Sequence, residues 1–363
     1  NEIGQLPKLT YLLLSDNSLN GTIPTNLGQL TKLQAFDVGD NSLTGVLSED
    51  HFAKLRELKS LDLTRNSLAL NVSSSWVPPF QLQRILMGSI IVGPRFPAWL
   101  RTQNEVVELI MQNASISDAI PSWFHYDDIM SLDLSSNSLT GNPSEFKQLN
   151  GSRNSQIVSV DYPYREIFLS SNKLDGSLKS FPLDISYLDL SHNFLTGHIP
   201  QLEVGQTVVP GIRSLLLNDN RFTGTIPEDL CKLENLSFLD LSNNLLSGRV
   251  PLCLGNLRDL EILSLANNSL SGQIPSSLGN LWQLSTLHLN GNKLVGKLPA
   301  SMQHLRYLEA LDLGDNGLKD IIPTWIGERL SNLRFLRFQS NNFHGVISDE
   351  LCLVSRLRAE PSA

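Results

Sequence analysis

Hydrophobic and polar positions follow a string that returns about every 25 residues along the chain. Two leucines flank one residue, an asparagine follows, and a leucine, a glycine and an isoleucine–proline pair complete the string. One copy consists of Leu263, Leu265, Asn268, Leu270, Gly272, Ile274 and Pro275. The asparagine slot falls at positions 17, 41, 66, 90, 114, 137, 172, 193, 220, 244, 268, 292, 316 and 341, and Ile90 and Ala114 replace asparagine at two of them. Recurrence of one string on this scale predicts a repeat protein.

The paired leucines predict a short strand in every repeat. Side chains alternate across a strand, so Leu263 and Leu265 should face the core and Ser264 should face outward. One such strand cannot bury its apolar face alone, and stacking of successive coils builds a continuous core. The asparagine follows where the chain turns. Its amide can pair with backbone groups that would each cost about 1–3 kcal/mol if buried without a partner.

A repeat of this length with this string is the leucine-rich repeat signature. It predicts an α/β solenoid, a right-handed superhelix with a parallel β-sheet on its concave face and irregular or 3-10 segments on its convex side. We expect a single solenoid over residues 1–363, with about 14 repeats of ~24 residues. An irregular insert is expected near residues 142–165, where the step between two asparagine slots is unusually long.

Composition and charge agree with a folded repeat protein and exclude some functions. Apolar residues make up 41% and charged residues 18%, as in globular chains. The net charge is −8 and Lys/Arg clusters are absent, so the sequence does not predict the basic surface that binds nucleic acid. The sequence contains no run of about 18 apolar residues that would predict a membrane span, and no segment with the pattern of a signal peptide.

Longer passages carry a resemblance to a known family. The string with its glycine and isoleucine–proline ending resembles the plant extracellular subtype of leucine-rich repeat. Four passages add to it: SWVPPFQL at 75–82, FPAWL at 96–100, IPSWF at 120–124 and LDLSNN at 239–244. Over roughly residues 3 to 357 the chain is similar to the ectodomains of plant receptor-like proteins, of the type that perceives ethylene-inducing xylanase.

This resemblance implies a function. The chain would be the ligand-recognition ectodomain of a cell-surface receptor without its own kinase, which signals through partner kinases, often in plant defence. The implied partners are a protein or peptide ligand and a co-receptor kinase, with no cofactor. The parent protein would lie at the extracellular face of the plasma membrane, held by a segment missing from this chain. The resemblance also implies a second, short sheet along the Leu-x-Gly-x-Ile-Pro segments.

Neither end of the sequence supplies a polar cap. Residues 1–9 read as the second half of a repeat, and residues 359–363 do not continue the strand pattern. Terminal repeats need a cap to cover the exposed core. We therefore expect a fragment of a longer receptor, truncated at both ends.

The three cysteines indicate one disulfide. Cys231 lies 11 residues after Asn220 and Cys253 lies 9 residues after Asn244, so they hold nearly matching places on neighbouring coils. Such positions come within bridging distance, and we expect a Cys231–Cys253 bond with Cys352 free. An oxidised pair argues for a secreted protein, and three buried thiols in a cytosolic solenoid are the alternative. C-x-x-C spacing is absent, so no metal site is expected.

Six N-x-[ST] sequons predict N-linked glycosylation. Each sequon alone is a weak signal, but several on one surface-rich repeat chain make occupancy of some of them the expectation. They begin at Asn20, Asn71, Asn113, Asn150, Asn235 and Asn267.

The outward residue between the two strand leucines is the expected place of recognition. An aspartate repeats there, which indicates a stereotyped surface, so the departures from aspartate are more informative. Apolar residues exposed at this position would form an interface, because contiguous apolar surface usually marks one. The predicted ligand-binding residues are Leu86, Ile110, Phe168, Leu216, His288, Phe335 and Arg337, the last three as a second cluster. The alternative is a set of scattered substitutions without a partner, and a sugar on Asn113 would count against a ligand at Ile110.

Enzyme motifs are absent, so we predict a protein that is not an enzyme and has no catalytic residues. The seven histidines are dispersed without an H-E-x-x-H string, and no G-x-S-x-G elbow, kinase glycine-rich loop or H-R-D string occurs. Two rival functions stay open. One is the ectodomain of a leucine-rich-repeat receptor kinase. The other is a secreted inhibitor of a pathogen cell-wall-degrading enzyme, similar to the polygalacturonase-inhibiting proteins. Those proteins have shorter chains with about ten repeats, and the fourteen slots of this chain weigh against that function.

Overall fold

A computed structural model describes residues 3–125, 128–143, 164–181, 185–202 and 211–353, with the side chains of Cys352 and Leu353 outside the description. The chain divides into two units, residues 1–175 and 176–363. Most of the insert predicted near 142–165 lies outside the described residues, and so does the sequon at Asn150. The single-solenoid organisation stays a prediction.

The first unit places one short strand in each repeat, and each strand pairs in parallel with the next. The middle residue of the strand faces the core, as Phe36 and Leu61 do with 2% and 1% of their surface exposed. Its described strands are Tyr11–Leu13, Ala35–Asp37, Ser60–Asp62, Arg84–Leu86, Glu108–Ile110, Ser131–Asp133 and Glu166–Phe168.

The second unit repeats the same parallel arrangement. The middle leucines of five consecutive strands, Leu215 to Leu311, are completely buried. Each such leucine stabilises the fold by roughly 1.5–3 kcal/mol. Its described strands are Tyr187–Asp189, Ser214–Leu216, Phe238–Asp240, Ile262–Ser264, Thr286–His288, Ala310–Asp312 and Phe335–Arg337. The predicted α/β solenoid with one strand per repeat is confirmed.

A second series of short parallel strands follows the asparagine slots, which confirms the additional sheet that the resemblance implied. In the first unit the strands are Asn20–Gly21, Ser42–Leu47 and Ser67–Leu70, and Thr140–Gly141 pairs with the start of Lys173–Ser177. In the second unit they are Phe194–His198, Arg221–Thr225, Leu245–Arg249, Ser269–Gly272, Lys293–Gly296 and Gly317–Leu318.

Short 3-10 helices form the remaining side of most coils. Several begin directly after the proline of the string, whose ring fixes φ near the helical value, as at Pro251 with φ −62°. The 3-10 helices in the described residues are Ile3–Gln5, Thr25–Gln29, Glu49–Phe52, Ala98–Thr102, Glu228–Lys232, Leu252–Asn256, Ser276–Asn280, Ala300–His304 and Asp349–Leu353. One α-helix, Trp325–Arg329, takes the same place in its coil.

The slot asparagines connect neighbouring coils through hydrogen bonds. The Asn244 side-chain oxygen accepts from the Phe222 backbone N–H at 2.9 Å, and its amide nitrogen donates to the Leu217 carbonyl at 3.0 Å. The same nitrogen donates to the carbonyls of Leu241 and Ser242 within its own coil. One buried side chain therefore satisfies backbone groups of two coils.

Glycines on the 3-10 side let neighbouring coils approach each other closely. A Cβ atom at Gly255 would lie 2.2 Å from the Ser277 carbonyl oxygen, and one at Gly279 would lie 2.4 Å from the Ser301 carbonyl oxygen. The Cys231–Cys253 disulfide occurs at the same contact one repeat earlier. Cys231 is at the position equivalent to Gly255, and Cys253 is at the position equivalent to Ser277. The disulfide thus takes the place of a glycine contact between coils.

Candidate binding surface

Outward side chains of successive strands lie side by side in a row. In the first unit the register places Asp62 beside Leu86, Leu86 beside Ile110, Ile110 beside Asp133 and Asp133 beside Phe168. Neighbouring strands lie about 4.8 Å apart, so the row is a continuous surface. We call these five residues the first-unit row.

Within the first-unit row the predicted binding residues form one pair and one isolated member. Leu86 and Ile110 are direct neighbours, and both are half-buried. Phe168 is also half-buried, but Asp133 lies between it and Ile110. Two of the three apolar residues therefore form a joined patch, and the third flanks an acidic position.

A second outward row lies two residues earlier on each strand and was not among the predicted residues. It consists of Arg84, Glu108, Ser131 and Glu166 in consecutive strands. The Arg84 Nε donates to the Glu108 carboxylate at 2.6 Å. The period-two alternation that selected the first-unit row also points to this second row, because residues two apart share a strand face.

Two carboxyl groups of this face are held in a partly desolvated, negative environment. Burial raises the pKa of Glu166, and the nearby Glu108 carboxylate raises it further. Burial also raises the pKa of Asp62, and repulsion from Asp37 adds to this, although hydrogen bonds from Thr64 and the charge of Arg84 oppose it. Both shifts show that the charged form is disfavoured at these positions.

In the second unit Leu216 lies between two aspartates, Asp189 and Asp240, in the register of the strands. Two outward apolar residues that were not predicted lie on the following strands. Phe238 is 36% exposed, and it is in register with Ile262, which is half-buried. These side chains extend the apolar character of this face beyond Leu216.

Two residues of the predicted second cluster, His288 and Arg337, flank an aspartate, whereas Phe335 is in register with Ala310. Asp312 lies in register between His288 and Arg337. The Arg337 guanidinium contacts the Asp312 carboxylate at 3.3 Å and the Asp315 carboxylate at 2.6 Å. Burial alone would lower the pKa of Arg337, but the two carboxylates outweigh it and raise that pKa. Arg337 already has internal partners, so its role as a ligand anchor stays a prediction.

The sequons within the described residues fall on exposed positions. Of the six, the structure describes five asparagines, and all of these are exposed: Asn20, Asn71, Asn113, Asn235 and Asn267. Asn113 and Asn267 have left-handed backbones with φ 51° and 52°, at the turn that follows the outward strand face. Asn113 contacts the Ser89 hydroxyl of the preceding coil at 3.4 Å. Glycosylation at these positions stays a prediction.

The described cysteine side chains form one disulfide, between Cys231 and Cys253, with their Cα atoms 5.8 Å apart. It joins the 3-10 helices Glu228–Lys232 and Leu252–Asn256 of neighbouring coils. The predicted state of Cys352 lies outside the described side chains.

Metal binding, membrane spanning and grooves concern other features of the described part of the chain. No group of three or more His, Cys, Asp or Glu side chains there could hold a metal ion. None of the described helices combines the length and apolar character that crossing a membrane requires. A groove of about 1600 Å³ in the second unit is lined by residues that include Thr225, Arg249, Gln273 and Lys297, but by none of the predicted binding residues.

Comparisons with known proteins agree with this architecture. Leucine rich repeat family models match residues 7–68 and residues 128–149, 184–202, 211–233, 235–257, 259–281, 283–305 and 307–328. These matches cover more than half of the chain. The chain belongs to the leucine-rich repeat family.

Within that family the chain is similar to plant receptor-like proteins. It is 38% identical over 196 residues to Receptor-like protein EIX2 of Solanum lycopersicum, covering 53% of this chain and 18% of that protein. It is 41% identical over 141 residues to Receptor-like protein EIX1 of the same species, covering 38% of this chain and 13% of that protein. The aligned regions therefore span less than a fifth of these relatives.

Solved structures show the same fold in receptor kinases. The ectodomain of the Arabidopsis thaliana receptor kinase GASSHO1/SCHENGEN3, in complex with CASPARIAN STRIP INTEGRITY FACTOR 2, matches with a TM-score of 0.81 and 27% identity, over 98% of this chain and 41% of that chain. The ectodomain of the Arabidopsis receptor kinase HAESA, in complex with a peptide hormone, matches with a TM-score of 0.74 and 25% identity, over 98% of this chain and 66% of that chain.

Proposed function

We propose that the outward strand face recognises a protein or peptide ligand, as part of the ectodomain of a plant cell-surface receptor-like protein. The observation that carries the proposal is the joined pair Leu86 and Ile110, two apolar side chains in register on a strand face that is otherwise rich in aspartate. Apolar surface without a structural partner is typical of an interface. The chain would act by binding and not by catalysis.

The similarity to plant receptor-like proteins supports the cellular setting of this proposal. The parent protein would lie at the plasma membrane with this chain outside the cell, and would signal in defence through partner kinases, including a co-receptor kinase. Two of the solved neighbours are receptor-kinase ectodomains in complex with CASPARIAN STRIP INTEGRITY FACTOR 2 and with a peptide hormone, and they keep the receptor-kinase alternative in consideration. The full coding sequence of the parent protein distinguishes the two, because only a receptor kinase would encode a kinase domain.

Substitution of the apolar pair tests whether this face binds ligand. An ethylene-inducing xylanase is the first ligand to use, because the resemblance of the sequence implies it. We expect the double variant Leu86→Asp, Ile110→Asp to lose binding by at least about tenfold, since charged residues would replace the centre of the contact. Biolayer interferometry with the secreted chain measures the dissociation constant.

A matched double variant controls for loss of stability and change of charge. Val46 lies on the second sheet of the same unit, and Ile91 forms an isolated bridge to that sheet. They are 59% and 55% exposed, and both are in register with Ala69. Val46→Asp, Ile91→Asp should leave ligand binding unchanged. Ligand binding that survives the first double variant, or that is lost equally in both, would contradict the proposal. If xylanase does not bind the wild-type chain, the same pair of variants is applied to secreted fungal proteins that do.

A further inference from the structure

The groove of the second unit runs across several consecutive coils. One wall is formed by the exposed residue that precedes the apolar–proline pair of each string, which is Thr225, Arg249, Gln273 and Lys297 in four neighbouring coils. The apolar–proline pairs form the floor, which is closed, as Ile274 shows with 3% of its surface exposed. Because neighbouring strands lie about 4.8 Å apart, the groove can hold an extended ligand that crosses the coils one after another.

Arg249 and Lys297 are cations of this groove that the described part of the chain does not neutralise. Neither side chain makes an ion pair or a hydrogen bond with a described residue. The carboxylates that line the groove, Glu228 and Asp229, both belong to the coil before that of Arg249, and Asp229 pairs with Lys232. The two positive charges are therefore available to a ligand.

Glycines of the following coils leave room for the wall side chains. Gly272 has a left-handed backbone with φ 83°, and a Cβ atom there would lie 3.2 Å from Cγ and 3.5 Å from Nε of Arg249. A Cβ atom at Gly296 would lie 3.0 Å from Cγ and 3.3 Å from Nε2 of Gln273. Both side chains therefore lie across the next coil and extend along the length of the groove.

A third unpaired cation lies beside the groove. Arg249 is in register with Ser271, and Ser271 is in register with Lys293, so the two cations lie two strands apart, about 10 Å. Lys293 is exposed, and its side chain pairs with no described residue. Gln273 takes the intermediate place between Arg249 and Lys297 along the wall. Cations thus alternate with neutral hydrogen-bonding side chains at a spacing of about 10 Å.

The groove suits a polysaccharide better than a peptide. Peptides are commonly bound by strand addition or by apolar pockets that receive side chains. The second-sheet strands here already pair with their neighbours, and the exposed apolar residues of the lining, Leu252 and Val295, belong to coils two steps apart. Thr225, Gln273 and Ser276 instead offer hydroxyl and amide groups that can bond sugar hydroxyls.

We propose that this groove binds a linear acidic polysaccharide, a polyuronide with one carboxylate on each sugar. Arg249 and Lys297 bind carboxylates about 10 Å apart, and Gln273 bonds the hydroxyls of the sugars between them. The Arg249 guanidinium can hold a carboxylate through two parallel N–H bonds. The groove is a different surface from the strand face, so this proposal goes beyond the proposed function and shares only its extracellular setting.

A galacturonic acid oligomer, labelled with a fluorophore at its reducing end, tests the proposal. Fluorescence anisotropy at low salt measures its dissociation constant for the intact chain. We expect the double variant Arg249→Gln, Lys297→Gln to bind it at least about tenfold more weakly, because two charge-assisted contacts are lost. The fully methyl-esterified oligomer keeps its hydroxyls without the charge and should bind the wild-type chain weakly. Equal binding of the acidic and esterified oligomers would overturn the proposal.

A second double variant, Arg258→Gln, Arg306→Gln, is the matched control. It removes two positive charges from the second unit outside the groove. Arg258 and Arg306 follow the 3-10 helices Leu252–Asn256 and Ala300–His304, are exposed, and have side chains that pair with no described residue. This variant should bind the acidic oligomer as the wild-type chain does. Equal loss in the two double variants would assign binding to the overall charge of the chain and contradict a site in the groove.

A labelled and amidated glutamic acid oligomer of the same length distinguishes a polysaccharide from an acidic peptide. It carries the same number of carboxylates but no sugar hydroxyls for Gln273 and Thr225 to bond. We expect it to bind the wild-type chain at least about tenfold more weakly than the galacturonic acid oligomer. Equal affinity would make an acidic peptide the ligand of the groove, and the polysaccharide assignment would be wrong.

The remaining outcomes separate this proposal from the proposed function. Leu86→Asp, Ile110→Asp changes the strand face of the first unit and should leave binding of the galacturonic acid oligomer unchanged. If that double variant abolishes the binding, the polysaccharide occupies the strand face and the groove assignment is wrong. If the oligomer does not bind the wild-type chain, the groove proposal is overturned, and the xylanase experiment alone decides the proposed function.

Discussion

Replacement of Asn244 by alanine is expected to lower the free energy of unfolding by about 3 kcal/mol, because it leaves several buried backbone groups without partners. The asparagine is 6% exposed and bonds the Phe222 N–H and the Leu217 carbonyl of the preceding coil. It also bonds the carbonyls of Leu241 and Ser242. Alanine offers neither a donor nor an acceptor to any of these groups. Urea unfolding followed by circular dichroism measures the loss.

The preceding residue provides the control for this substitution. Asn243 has a left-handed backbone with φ 53°, and its side chain accepts from the Asn267 amide at the surface. Glycine adopts that backbone conformation without strain, so Asn243→Gly should change stability by less than about 0.5 kcal/mol. Alanine would be the wrong control, because it would add strain at that φ. Equal urea midpoints for Asn244→Ala and Asn243→Gly would refute the role of the slot asparagines.

Gly255→Ala is expected to destabilise the second unit by about 2 kcal/mol through overpacking. Its Cβ would lie 2.2 Å from the Ser277 carbonyl oxygen and 2.5 Å from the carbonyl carbon. These are backbone atoms of the helix Ser276–Asn280 in the next coil, so the contact cannot be relieved by rotation of a side chain. Thermal unfolding of the purified chain measures the effect.

Gly211→Ala is the comparison for the glycine prediction. Among the described residues, a Cβ there meets only the Ser186 hydroxyl at 3.9 Å, and the glycine does not have a left-handed backbone. Alanine at this position should change the melting temperature very little. If Gly255→Ala melts at the same temperature as Gly211→Ala, the spacing between coils is not set by the glycine contact.

The sequence predicted the parts of the fold that depend on periodicity. The alternation around Leu263 and Leu265 identifies the strand, and the recurrence of asparagine identifies the residue that bonds two coils. The left-handed backbone before each slot was not predicted, because residues as different as Arg65, Ser89 and His192 occupy it. There the turn imposes the conformation, and local propensity does not reveal it.

The candidate surface was predicted less completely than the fold. Period-two alternation predicted the first-unit row, including the Leu86–Ile110 pair. The prediction covered only the outward residue between the two leucines, so it did not include Glu108 and Glu166 two residues earlier on their strands. The internal pairing of Arg337 with Asp312 could not be derived either. It joins residues 25 positions apart through side-chain conformations, which a repeat pattern does not specify.

Hydroxyl-radical footprinting of the chain, with and without a bound protein ligand, tests most directly whether the outward strand face is the recognition surface. The method reports the loss of solvent access at individual side chains. We expect ligand to protect Leu86, Ile110 and Phe168, and to leave Val46 of the second sheet and Ile91 beside it as reactive as before. Protection of Val46 and Ile91 with no change at the three strand-face residues would contradict the proposed binding surface.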